Sequence, residues 1–211
     1  MSLLLGTILD GSARPEPLPV ECRHLTLIIP GFLGTRNVMR PLEAHLRSRN
    51  FTTRTVNLGL RSAGSFAAAR ACVEYRLDRL RVRSPFIERI DLIGHSMGGL
   101  IALDILQSGK LHDFEVRLVT LGAPFAGTSI AHLARPFSGS ATELTPERRR
   151  RSSDPQIDST RFLSLAGSND ALAPAPACRH GCAINETLPV DHAGLVLDER
   201  VHRLVTDFLK P

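Results

Sequence analysis

Short apolar runs alternating with amphipathic stretches of about 10 to 18 residues predict an α/β fold with about six mainly parallel strands and helices on both faces. The first run, Leu25-Thr26-Leu27-Ile28-Ile29, is of the type buried on both sides, as the strands of a covered parallel sheet are. Neither an internal repeat nor a low-complexity linker interrupts the 211 residues, so a single domain over residues 1–211 is expected.

Pro30-Gly31 stops the first strand, and a helix follows from about Asn37 to Arg49, with Leu42, Ala44, His45 and Leu46 on or beside one face. A second strand is expected at about Thr52 to Leu58. Gly64-Ser65 then opens a long helix to about Arg81, whose apolar positions Ala69, Val73, Leu77 and Leu80 recur at helical spacing. The third strand, Ile90 to Ile93, runs into Gly94-His95-Ser96-Met97-Gly98-Gly99 and a helix from Leu100 to Leu106. A fourth strand, Val116 to Leu121, breaks at Gly122-Ala123-Pro124. About 35 irregular residues separate it from a fifth at Arg161 to Leu165, and irregular segments of that length inside a domain are usually functional. Residues 123–159 form a short, lid-like insertion in this reading, with room for a helix or two around Ser129 to Ala134 but not for a cap domain. A short apolar piece at Ala183-Ile184, a loop holding His192 and a helix from about Glu199 to Leu209 complete the pattern.

With 43% apolar and 22% charged residues, a chain of this length buries enough surface to need no disulfide or metal staple, which excludes disordered and small disulfide-rich classes. No apolar run is long enough to span a bilayer, and Leu3-Leu4-Leu5 lacks the basic flank of a signal peptide. Stable membrane insertion is not expected, and a reducing cytoplasm is the default location. The net charge of +5 is carried almost wholly by arginine, since Lys110 and Lys210 are the only lysines. The run Arg148 to Arg151 reads as a solvated loop. With no Trp, one Tyr and no recognised motif, nucleic acid is not an expected partner. Cys178-Arg179-His180-Gly181-Cys182 leaves three readings open: a metal site short of the fourth ligand that structural zinc takes, a local disulfide, or a plain loop.

Gly94-His95-Ser96-Met97-Gly98 matches G-x-S-x-G in the context its chemistry needs, an apolar strand before it and a helix directly after it. A serine in so tight a turn requires nearly side-chain-free neighbours two residues away on each side, and Gly94 and Gly98 supply them. The following helix start presents unsatisfied amides to an oxyanion at the serine, the Met97 amide first. A second donor is expected from Pro30-Gly31-Phe32-Leu33-Gly34-Thr35, with Phe32 as the donating amide and Phe32, Leu33 and Phe125 lining an acyl pocket.

On these residues the sequence resembles the α/β-hydrolases of the small lipase/esterase group. The matching pieces run from Leu25 to Leu209: Ile28 to Gly34, Gly94 to Gly99, Leu118 to Pro124, Ala166-Gly167-Ser168-Asn169-Asp170 and Asp191-His192-Ala193-Gly194. Pro30 departs from the pattern, standing where many lipases of the group carry histidine. The resemblance implies a minimal α/β-hydrolase fold with Ser96 as nucleophile, Asp170 as orienting carboxylate and His192 as general base and acid. It implies hydrolysis of a small-molecule or lipid carboxylic ester through an acyl-enzyme, without metal or other cofactor. Acyl transfer or thioester hydrolysis on the same residues, and a catalytically silent binding protein, are the alternatives.

Chemistry alone points the same way. Serine needs an imidazole within hydrogen-bond reach, and that imidazole needs a carboxylate on its other nitrogen. Of the eight histidines, His95 should point away from an exposed serine, His24, His45 and His202 lie in strand-edge or helix patterns, and His112 and His132 sit in poorly placed loops. His180 stays as the rival to His192, and Asp191 as the rival to Asp170.

Overall fold

The computed structural model describes residues 18–19, 21–32, 34–58, 65–128 and 161–210. Leu33, the Leu3 to Leu5 opening, the helix expected near Ser129, Arg148 to Arg151 and most of the 123–159 insertion lie outside them. The elements are β1 (His24–Ile29), α1 (Arg40–Arg47), β2 (Thr53–Thr55), α2 (Phe66–Arg83), β3 (Arg89–His95), α3 (Met97–Gln107), β4 (Glu115–Leu121), β5 (Arg161–Gly167), β6 (Ile184–Leu188), α4 (Gly194–Leu197) and α5 (Glu199–Leu209), with a 3₁₀ turn at Ala175–Cys178.

All six strands are parallel, in the order β2-β1-β3-β4-β5-β6. Strand alternation sorts their apolar side chains into two cores. Leu25, Leu27, Leu92 and Leu118 face α2 and α3 through Val73, Leu77, Leu100 and Ile101. Ile28, Ile93, Val119 and Leu163 face α1 and α5 through Leu42, Leu46, Val201 and Val205. From β1 the chain turns one way to β2, and later returns on β1's other side as β3. A sheet that reverses direction like this leaves a crevice beyond the carboxyl ends of the two strands. Ile29 stands opposite Gly94, so β1 and β3 deliver their loops to that crevice at one level.

The differences from expectation lie at element ends. Helix α1 begins at Arg40 rather than Asn37, because Pro41 sits in its first turn, where the missing amide costs nothing. Strand β2 is only three residues long, as an edge paired on one side. Strand β6 extends to Leu188, beyond the apolar Ala183-Ile184; on an edge, Asn185 and Glu186 remain exposed or half-buried, which hides the strand from a hydrophobic reading. Helix α3 starts at Met97, three residues before Leu100, because Gly98 and Gly99 are poor helix formers placed there by packing.

At the opposite end of the sheet the Asp91 side chain is fully buried. Its carboxylate meets Arg89 Nε at 2.9 Å and His24 Nε2 at 2.5 Å. Arg89 also donates to the Leu209 carbonyl at 2.7 Å, and Arg117 to the carbonyls of Phe208 and Lys210, so β3 and β4 cap the last turn of α5. Asp91→Ala would leave the Arg89 guanidinium without its buried counter-charge and with only a long 3.8 Å contact to the exposed Glu115 carboxylate, and a loss of about 3 kcal/mol in urea unfolding is the expected result.

Candidate active site

Ser96 occupies the turn between β3 and α3 with φ 53° and ψ −125°, a conformation that non-glycine residues rarely adopt. Its amide donates to the Leu121 carbonyl at 2.8 Å and its carbonyl accepts from Gly99 at 3.0 Å, so both neighbouring elements hold the strain. A Cβ at Gly98 would collide with the Ile29 carbonyl, and one at Gly94 with the backbone of Gly99. These glycines therefore let α3 lie directly against β1 and β3. A Cβ at Gly31 would come within 2.8 Å of Ser96 Cβ, which places the turn after β1 beside the serine.

The half-buried Phe32 lies in that turn, closed by a Gly34 amide to Gly31 carbonyl bond of 3.0 Å. Farther along the loop, Arg36 meets Glu43 of α1 at 3.4 Å, and the same buried carboxylate takes Arg47 at 2.8 Å and the Thr55 hydroxyl at 2.9 Å. Met97 begins α3 with its side chain fully buried. Phe125 is half-buried and packs edge-on to Phe162, with ring centroids 6.0 Å apart, within the core on the α2 and α3 side of the sheet.

Beyond β5 and β6 the structure brings Asp170 and His192 together, with Nδ1 2.6 Å from Oδ2. The other carboxylate oxygen accepts from the amides of Leu172 at 2.9 Å and Ala173 at 2.8 Å. Burial pushes the Asp170 carboxyl up, but the His192 hydrogen bond and the two amides outweigh it and hold the group below the usual carboxylate range. A carboxylate on Nδ1 keeps the proton there and leaves Nε2 as the acceptor. Gly122, with φ 59°, makes room for the pair: a Cβ there would lie 3.2 Å from both Asp170 Oδ2 and His192 Nδ1. Because Leu121 receives the Ser96 amide, the residue beside the serine's partner adjoins the Asp170–His192 pair. In sequence Gly122 reads only as a strand breaker; its role depends on contacts with residues far along the chain.

The rival residues do other work. His180 is buried between Phe125 and Phe162, and its Nδ1 accepts from the Cys182 amide at 3.2 Å. Asp191 turns its carboxylate to the Gly194 amide at 2.7 Å. Cys178 is buried with its thiol on the Ala173 carbonyl, and its pKa is pushed up to about 12 by burial. Cys178 and Cys182 are both free thiols, so the local-disulfide reading does not hold. Among the described residues no group of three or more His, Cys, Asp or Glu side chains could hold a metal ion, and no helix is long and apolar enough to cross a membrane.

His95 departs most from expectation. Rather than turning away from the site, its buried ring sits 4.6 Å from the His192 ring, and Nε2 lies 3.2 Å from the His192 carbonyl. Burial first, and the neighbouring His192 second, push its pKa down to about 4. Acid therefore removes stability in a defined window. An unfolded histidine takes its proton near pH 6.5, so the neutral His95 contributes fully above that value, and the contribution drains away between pH 6.5 and about 4. The depressed Asp170 carboxyl extends the loss to still lower pH. Unfolding midpoints measured across this range should fall with acid in the native protein, and less steeply in His95→Gln.

A parallel sheet with its strained serine turn at the switch point defines an α/β-hydrolase. Within that superfamily the chain belongs to the PGAP1-like alpha/beta domain family, whose model matches residues 66–175, just over half of the sequence. The mature Bacillus licheniformis lipase BlEst2 has a similar structure, with a TM-score of 0.74 at 14% identity over 93% of this chain and 95% of that one. A lipase-esterase related protein from Clostridium acetobutylicum aligns with a TM-score of 0.67 at 16% identity, over 90% and 96%. The RedJ thioesterase of the prodiginine biosynthetic pathway in Streptomyces coelicolor aligns with 0.62 at 17% identity, over 93% and 92%. At these identities the likeness is one of fold. No curated protein sequence matches the chain.

Proposed function

We propose that this protein is a serine hydrolase that cleaves carboxylic esters through an acyl-enzyme intermediate, with Ser96, His192 and Asp170 as a catalytic triad. The observation that carries the reading is the strained Ser96 turn at the start of α3, close to a histidine whose Nδ1 is held 2.6 Å from a buried carboxylate. In this mechanism Ser96 Oγ attacks the ester carbonyl carbon while His192 Nε2 takes its proton. The amides of Met97 and Phe32 donate to the resulting oxyanion. Collapse of the intermediate breaks the bond to the alcohol oxygen, which leaves with the proton from His192. Water, deprotonated by the same nitrogen, then attacks the acyl-enzyme, releases the carboxylic acid and returns the proton to Ser96.

The substrate class in this reading is a small-molecule or lipid ester, and the chemistry needs no metal or other cofactor. Intact mass after treatment with a fluorophosphonate probe tests the reading. One adduct on the native protein and none on Ser96→Ala is the expected outcome. A native protein that takes up no probe would point to a binding module on the same fold.

A further inference from the structure

Nothing in the triad chemistry requires a second imidazole, yet His95 is buried against the site with its ring nitrogen aimed at the main chain of His192. We infer that His95 is a positioning residue, which fixes the backbone of the base by donating from Nε2 to the His192 carbonyl and so ties the base to the strand that carries the nucleophile.

The geometry explains why such a tie is useful. The bond from Nδ1 to Asp170 fixes the rotation of the His192 ring but not the path of its loop. That loop lies between β6 and the short helix α4, outside any regular element. His95 is the last residue of β3, fully paired with β4 through His95↔Leu121, and it directly precedes Ser96. A hydrogen bond from this rigid strand to residue 192 therefore sets the distance between nucleophile and base by a route separate from Asp170. The ring also has to stay neutral. A cation 4.6 Å from the His192 ring would oppose the protonation that the base undergoes in each half of the reaction, working against the Asp170 carboxylate that favours it. Burial keeps His95 uncharged at neutral pH, with its Nε2–H available to the carbonyl.

The inference rests on the reading of His192 as the base, and the test separates the two. His95→Leu fills much of the space and removes the donor, whereas His95→Gln keeps an N–H of similar reach. With a soluble ester, His95→Leu should lose kcat by about ten- to a hundredfold with KM within about twofold, the usual consequence of a displaced catalytic group. His95→Gln should recover most of the loss, and probe labelling of Ser96 should follow the same order. Hydrogen exchange gives a readout independent of turnover. The amides of Leu195 and Val196, bonded to the carbonyls of Asp191 and Ala193, should exchange faster in His95→Leu than in the native protein or His95→Gln. Equal kcat and equal exchange in both variants, measured where both are folded, would overturn the inference. If His95→Leu does not fold, His95→Asn takes its place, since its amide stops short of the carbonyl. A native protein inert to ester and probe, but with faster exchange at Leu195 and Val196 in the variant, would instead sink the catalytic reading and keep the structural tie.

Discussion

Ser96→Ala and His192→Ala should each cut turnover on the order of 10⁶-fold, because nucleophile and base act as a unit and either loss removes the covalent route. Asp170→Asn should cost less, about 10⁴-fold, for a reason visible in the hydrogen bonds. One Asp170 oxygen accepts from the amides of Leu172 and Ala173, so an asparagine must place its carbonyl oxygen there. Its NH₂ group then faces His192 Nδ1 and donates to it. The histidine proton moves to Nε2, the nitrogen that has to receive the serine proton, and a correctly placed base is left in the wrong tautomer. Initial rates on a soluble ester, with circular dichroism to verify folding, decide the matter. His180→Ala is the control: collapse of activity there, with His192→Ala still active, would move the base to His180.

The second large effect is on stability. Gly98→Val should remove most of the folding free energy, because its side chain would enter the backbone of Ile29 and stand 2.6 Å from the Pro30 carbonyl before reaching any flexible neighbour. No rotamer moves a Cβ away from the main chain it strikes, so α3 must separate from β1, and a cost of several kcal/mol is set against a total of about 5 to 15. Gly109→Ala is the comparison. Its φ of 72° also disfavours a side chain, but nothing lies within 4 Å of the added carbon, so the expected cost is about 1 kcal/mol from strain alone. Urea unfolding of the two variants separates close approach from backbone conformation as the reason for a glycine.

The central strands were legible because burial on both faces makes β1, β3, β4 and β5 rich in apolar residues, with few polar interruptions and sharp stops. The edges were not: β2 and β6 face solvent on one side, so their sequences satisfy hydrogen bonding more than burial. In the site, the serine turn can be read locally because its strand, glycines and helix are contiguous. His192 could be preferred to His180 only by position in the chain; the structure adds the reason, since Asp170 reaches His192 while His180 is enclosed by Phe125 and Phe162. His95, expected to point away from the serine, and Gly122, which reads in sequence only as a strand breaker, are the site residues that sequence does not reveal. Each acts through a partner distant in the chain, and the composition around each one is that of an ordinary strand end or turn.

The capping of α5 by Arg89 and Arg117 also bears on how the protein is made. During synthesis β1, β3 and β4 leave the ribosome well before α5, and their pairing spans long stretches of chain, which slows its formation. Until α5 docks, the arginines at the feet of β3 and β4 lack the carbonyls of Phe208, Leu209 and Lys210, and the apolar face that Val201 and Val205 will cover stays open to other chains. The interval between translating β4 and completing α5 is therefore when a nascent chain most needs a chaperone. Changes that weaken the α5 dock should reduce soluble yield in cells before they reduce the activity of the molecules that fold.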